Sequence, residues 1–457
     1  MRKEKSLDVF NDMSVPQAVI KNALPAMAAM LMVLIYNLAD TFFIGQTHNA
    51  YQVAAVSLAT PVFLMFMAVG TVFGVGGTSV ISRAMGEGKT EYAKRVCSFC
   101  MWACILVGIL MSTIFFICMD SILLLIGASE DTWEYAESYL TIVSCSGVFV
   151  LISNCYFNIL RAEGQAAKAM IGQVIGNLLN VVLDPIMILG FGWNIAGAAI
   201  ATVIGNAAAA VYYIVYFLRG NSSLSIRIKD FSVKDRICGN VLAIGIPASL
   251  ASVFMSISQM IMNGLMAGYG DMAIAGSGVA MKVTMITGMI SMGIGQGVQP
   301  LLGYCTGAGT WERYRKIMRF SMWFAFFLGL AMTVFCYTFT DQIVSAFLTE
   351  ESAFDYAVQF ARILLSTSTL FGVFYVLANA LQAMGAAVSS LIINLSRQGL
   401  IYIPALYILR AVLGVNGLMW AQPAADILSV GLAVGLYSIA FKKASSSGGM
   451  AAFKGQA

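Results

Sequence analysis

Charge is scarce in this chain: acidic and basic side chains together make up 11% of 457 residues, against 59% hydrophobic. That balance excludes the soluble globular class. Histidine is scarcer still, with His48 standing alone in a short loop, so neither a metal centre built on imidazoles nor a histidine acid–base pair is available. The nine cysteines lie mostly inside apolar stretches. Cys97, Cys100 and Cys104 have metal-like spacing, but their apolar surroundings read as small hydrophobes packed between helices. No nucleophile stands beside a base, and no glycine loop is followed by the lysine that a phosphate cradle needs. An enzyme is therefore not expected. The net charge of +4 is too small and too polarised to suggest nucleic acid.

What the chain has instead is apolar length. Runs of about 20 residues, each enough to cross ~30 Å of hydrocarbon, recur along almost all of it. Twelve are expected, at about 17–44, 53–82, 95–119, 135–160, 168–189, 194–218, 239–267, 272–304, 317–340, 355–384, 388–410 and 415–441. The fold class is an all-α polytopic membrane protein. The polar N-terminal MRKEKSLDVFNDMSVPQ lacks a cleavable signal pattern, so span one is expected to be a true crossing.

Basic residues mark one side. With the N-terminus inside, they run from Arg2, Lys3 and Lys5 through Arg83, Lys94, Arg227 and Arg315 to Lys442, Lys443 and Lys454, all in inner loops and termini. Among the outer loops only Arg410 is basic, whereas Asp120, Glu130, Asp131 and Glu134, then Asp341, Glu350, Glu351 and Asp355, make two of them acidic. Both termini are accordingly expected in the cytoplasm of a bacterial inner membrane.

The chain also repeats itself. RAMGEGKTEYAKR after span two matches YCTGAGTWERYRK after span eight at a shift of 221 residues, which also lays Asn158 on Asn379 and Gly164 on Gly385. Six spans per copy is an even number, so the copies share one orientation. The expected domains are an N-terminal six-helix lobe at 1–219, a polar basic linker at 220–235 and a C-terminal lobe at 236–457. Two equivalent bundles suit transport by alternating access.

The stretch IGNLLNVVLDPIMI, residues 175–188, breaks the apolar rule most sharply. Asn177, Asn180 and Asp184 share one helix face, and Pro185 loosens the backbone beside the acid. A carboxylate at membrane depth costs at least about 2.5 kcal/mol, so this face should meet water or a partner and carry function. Span one brings Tyr36, Asn37 and Asp40 close to its outer end. At 1.5 Å per residue Asp40 and Asp184 lie at similar depth, roughly 8 Å in.

The 6+6 layout, the paired RAMGEGK and GAGTWERYRK loops, RAEGQAAKAM after span four and the Asn180–Asp184 pair together resemble the MATE family of multidrug and toxic compound extrusion transporters, over residues 15–440. The DinF-like and MepA-like bacterial branch is most similar. The resemblance implies a V-shaped pair of lobes and export of organic, cationic, amphipathic compounds against inward H⁺ or Na⁺, with no other cofactor. It implies that Asp40, Asp184 and Asn180 are the cation-coupling residues, and that Tyr36, Asn37, Tyr139, Asn154, Asn158, Asn177 and Thr202 line the cavity. If the ion is Na⁺, Asp40, Asn180, Asp184 and Thr202 are its expected ligands. NorM-like members place further acids in spans seven and ten; this chain has none between Pro247 and Asp271 or between Asp355 and Asp426. The expected partners are membrane lipid and a small-molecule substrate, with the monomer as the working unit.

Three more ionisable residues fall at membrane depth. Lys282, Arg397 and Asp426 are expected to form a structural ion pair, with Asp426 at the repeat position of Asn206. The competing functions are a flippase for lipid-linked saccharides and, less well matched, an intramembrane enzyme acting on lipids.

Overall fold

In hydrocarbon every backbone N–H and C=O must be satisfied within its own segment, which leaves the helix as the natural solution for apolar runs of this length. The computed structural model describes residues 8–47, 49–126, 128–220, 222–346 and 351–446, and every regular element among them is helical. His48, Glu350, and Arg2, Lys3, Lys5 and Lys454 of the charge count lie outside the described residues.

Ten helices are long and apolar enough to cross a membrane: Val15–Ile44, Ala54–Gly86, Thr90–Ile117, Ala166–Gly190, Asn194–Leu218, Ile237–Tyr269, Met272–Ala308, Trp311–Thr338, Ala387–Leu413 and Val415–Ser446. Spans four and ten are bent pairs, Glu130–Cys145 with Gly147–Ala162 at 56° and Ala353–Leu365 with Thr369–Met384 at 48°, which brings the total to 12. Serine at each bend explains the break, because a hydroxyl that bonds back to a carbonyl bends a helix. Ser146 Oγ donates to Val143 O at 2.6 Å, and Ser366 Oγ donates to Ile363 O at 2.6 Å.

The duplication is exact at the level of helix starts. Ala50 and Asp271, Thr90 and Trp311, Glu130 and Glu351, Ala166 and Ala387, and Asn194 and Val415 are all 221 residues apart. With that register Asp426 corresponds to Gly205 and not to Asn206, which corrects the expectation by one residue. Arg397 corresponds to Gly176 in the same register.

The compact units depart from a linear division at 219 and 236. One consists of the chain up to Asn11 with Leu31–Gly245, and the other of Asp12–Met30 with Ile246 onward, so both boundaries fall inside helices. Glycine is the cause. In the first unit Gly76 leaves room for the backbone of Val241 at the start of span seven. In the second a Cβ at Gly293 would lie 2.6 Å from Met27 Cα, and one at Gly297 2.5 Å from Ala23 Cα. Each repeat's second helix therefore takes the opening turns of the other repeat's first helix.

Within the first unit, the glycine run of span two packs as small residues should. Gly70 lies against Asn154, and Gly74 against Cys155 and Asn158, on span four. Spans five and six meet at a glycine pair: a Cβ at Gly205 would sit 2.6 Å from Gly176 O, and one at Gly176 2.8 Å from Gly205 O. Gly205→Val is expected to cost about 2–3 kcal/mol through over-packing, read as a lowered thermal unfolding midpoint in detergent.

Span four ends at Ala162, and Glu163 just beyond it is 1% exposed. Its carboxylate accepts from Ser222 Oγ at 2.8 Å, from Ser223 Oγ at 2.9 Å and from Ser223 N. Burial nevertheless pushes the Glu163 carboxyl up from its ordinary range, because desolvation outweighs those bonds. A raised folded pKa contributes stability that is complete below the unfolded value of ~4.3 and is lost as pH climbs through the folded value. The unfolding midpoint of wild type relative to Glu163→Gln is thus expected to fall as pH rises from ~4.3 toward neutrality. A rise over the same interval would show that the hydrogen bonds dominate.

Candidate functional site

Span five runs as an α-helix from Ala166 to Pro185 and closes in a π turn at Ile186–Gly190. Proline cannot donate its backbone nitrogen, and the looser turn begins at the residue after it. Asp184 sits on the last α turn and is 0% exposed. Asn180, one turn earlier on the same face, and Thr202 on span six are also buried.

These three side chains form one network. With its amide nitrogen facing the acid, Asn180 donates to Asp184 Oδ2 at 2.9 Å, and its oxygen accepts from Thr202 Oγ1 at 3.2 Å and Thr202 N at 3.0 Å. That orientation satisfies donors and acceptors together. Asp184 Oδ1 is buried with no hydrogen-bond partner. Span one reaches the same place: Tyr36 hydrogen-bonds with Thr202, and Asp40 lies within electrostatic reach of Tyr36, Tyr139 and Asp184. Asp40 and Tyr36 are half-buried, Tyr139 is buried, and Asn37 is exposed.

Other expected cavity residues bond elsewhere. Asn154 Oδ1 accepts from Thr71 Oγ1 at 3.2 Å, while Asn158 Nδ2 donates to Asn154 O at 2.8 Å and Asn158 Oδ1 accepts from Arg161. Asn177 accepts from Gln173 Nε2 at 3.4 Å and keeps a buried Nδ2 without a partner. Thr71 and Gln173 escaped the sequence reading, because one hydroxyl or amide in an apolar run is too common to stand out.

A second polar cluster lies in the other unit. Arg397 Nε donates to Asp426 Oδ1 at 2.8 Å, with the two side chains 8% and 2% exposed. Gln422 Nε2 at 3.0 Å and Thr367 Oγ1 at 3.3 Å also donate to this carboxylate. The guanidinium lies over the rings of Phe371 at 4.8 Å, Phe374 at 4.9 Å and Tyr375 at 5.4 Å. It therefore faces π-electrons wherever it does not face the acid. Arg397 belongs to the π turn Ser396–Leu400, so each cluster is built at a π segment. Lys282, half-buried in span eight, is not the lysine of this ion pair; Asp426 takes Arg397.

The repeats are not chemically equivalent. At 221 residues from Asp40, Tyr139, Asn180, Asp184 and Thr202 stand Ile261, Phe360, Ile401, Ala405 and Pro423. Conversely the Arg397–Asp426 pair replaces Gly176 and Gly205. One repeat carries an acid with an uncommitted oxygen, and the other an acid whose charge is fully answered.

The MatE family profile matches residues 25–186 and 247–408, one copy per repeat. The multidrug export protein MepA of Staphylococcus aureus (strain NCTC 8325 / PS 47) is 30% identical over 428 residues, covering 93% of this chain and 94% of the relative. The MepA protein of Staphylococcus haemolyticus (strain JCSC1435) is 30% identical over 432 residues, covering 94% and 95%. A solved outward-facing multidrug resistance MATE family transporter of the MOP superfamily superposes with TM-score 0.92 at 24% identity, covering 97% of this chain and 99% of the other. Duplicated helices, family profile and full-length relatives agree, and the chain belongs to the MatE family of multi-pass membrane transporters.

Proposed function

We propose that this chain is a secondary active exporter of organic, cationic, amphipathic compounds, working by alternating access against an inward cation flow, with Asp184, Asn180 and Asp40 as the coupling site. The observation that carries the reading is Asp184 Oδ1: an oxygen of a fully buried carboxyl group, inside an apolar span, with no partner, while Oδ2 is held by Asn180. Desolvated carboxyl groups exchange charge for neutrality at modest cost, which is what a coupling acid must do. The donor set suits H⁺ better than Na⁺. A proton needs only Oδ1, whereas Na⁺ would have to recruit the Asn180 oxygen and the Thr202 hydroxyl that now satisfy each other.

The substrate class is supported by the multidrug export relatives. The basic inner loops and acidic outer loops support both termini in the cytoplasm of the bacterial cytoplasmic membrane. The protein acts as a monomer in lipid. The test is uptake of a fluorescent organic cation into inside-out proteoliposomes under an imposed pH gradient or an imposed Na⁺ gradient. Uptake that follows the pH gradient supports the reading as stated, uptake that follows only Na⁺ reassigns the ion, and uptake with neither overturns it. Movement of a labelled lipid-linked saccharide in place of the cation would favour a flippase.

A further inference from the structure

The segment between spans six and seven is a strap fixed to the first unit, not a loose tether. Glu163 holds Ser222 and Ser223, and Ser98 Oγ donates to Arg227 O at 2.7 Å. The Phe231 ring stacks on Phe99 with centroids 6.2 Å apart and planes 25° apart. Arg95 Nη1 donates to Asp235 Oδ2 at 2.8 Å, and Ser225 donates to Asp230. Asp235 and Arg236 both take positive φ, 57° and 54°, a left-handed pair that turns the chain into span seven.

This anchoring sorts the side chains. Leu224 and Ile226 are buried, and the two acids are engaged by Ser225 and Arg95. What faces outward is basic and apolar together: Arg227, Lys229, Lys234 and Arg236 are exposed, and between them Ile228 is 64% and Val233 59% exposed. Charge sidedness explains the cations. It does not explain two β-branched hydrophobes held in the open on a rigid segment. The strap begins just after Leu218, the last residue of span six and itself exposed, and ends at Ile237, the first of span seven, so it lies at the membrane surface.

We infer that the strap is a docking surface for anionic phospholipid, its Lys and Arg side chains meeting headgroup phosphates while Ile228 and Val233 enter the acyl boundary. Each basic side chain near an anionic leaflet contributes favourably, and the apolar pair adds the anchoring that charge alone lacks. The inference concerns a surface remote in sequence from the carboxyl cluster and stands whether the coupling ion is H⁺ or Na⁺.

The test is the thermal unfolding midpoint of the full-length protein in detergent, titrated with phosphatidylglycerol or with phosphatidylcholine. Phosphatidylglycerol is expected to raise the midpoint more than phosphatidylcholine. The half-saturating concentration should increase about tenfold or more in Lys229→Gln/Lys234→Gln, since two charges near the headgroups are removed. Equal stabilisation of wild type and this variant overturns the proposal. A second readout uses Val233→Trp in liposomes containing brominated phosphatidylglycerol, taking the difference from the wild-type emission. A blue-shifted band quenched by bromine supports insertion; a water-like, unquenched band overturns it.

Discussion

Asp184→Asn is expected to abolish gradient-driven accumulation while leaving the protein folded. One charge moving down ~100 mV supplies about 2.3 kcal/mol, enough for a concentration ratio of roughly 50, so the variant should fall from that ceiling toward a ratio of about 1. The substitution separates coupling from structure well. Asparagine keeps an oxygen that can accept from Asn180, and the amide group placed where Oδ1 stands adds one buried donor, costing about 1–3 kcal/mol. The measurement is accumulation of the organic cation in inside-out proteoliposomes, with the unfolding midpoint as the control for folding. Undiminished accumulation would reduce Asp184 to a helix tie and remove the basis for the coupling site. Asp40→Asn should act in the same direction, because that carboxyl group is within electrostatic reach of the first.

Asp426→Asn is expected to do the opposite: it should cost folding before it touches coupling. Removing the charge that answers Arg397 leaves a buried cation with only ring faces and neutral hydrogen bonds, a loss of about 3–5 kcal/mol. The double variant Arg397→Met/Asp426→Leu, which removes both charges and keeps comparable volume, should recover most of that stability and can equal wild type. Unfolding midpoints of the two single variants and the double variant form the cycle that measures this. A double variant as unstable as either single one would mean that the pair does more than cancel its own charges. Retained ion-driven transport in the double variant would be the functional counterpart, locating coupling in the repeat that holds Asp184.

The two expectations differ because the duplicated helices were filled differently at equivalent places. Gly176 and Gly205 bring spans five and six into backbone contact in one repeat, and Arg397 and Asp426 join spans eleven and twelve electrostatically in the other. Close contact leaves the acid of span five to be answered from the side, by one amide. The ion pair leaves no acid oxygen uncommitted.

Much of this was legible in one dimension. Twelve apolar runs, their even division by a 221-residue repeat and the polarised Lys and Arg follow from the cost of placing polar groups in hydrocarbon, a term each segment meets on its own. Asp184 with Asn180 one turn before it was visible for the same reason, since helical spacing alone puts them on one face. Tertiary structure decided what depends on neighbours far along the chain. Missing Cβ atoms at Gly76, Gly293 and Gly297 set which opening turns of spans one and seven pack in which unit. Asn154 and Asn158 found Thr71 and Arg161 in place of the carboxyl cluster, and Asp426 took Arg397. The polar strap between the repeats became a rigid, partly apolar surface because Glu163, Ser98 and Phe99 happen to reach it. Partner choice among buried polar groups rests on differences of a few ångströms between helices, and no spacing along the chain encodes those.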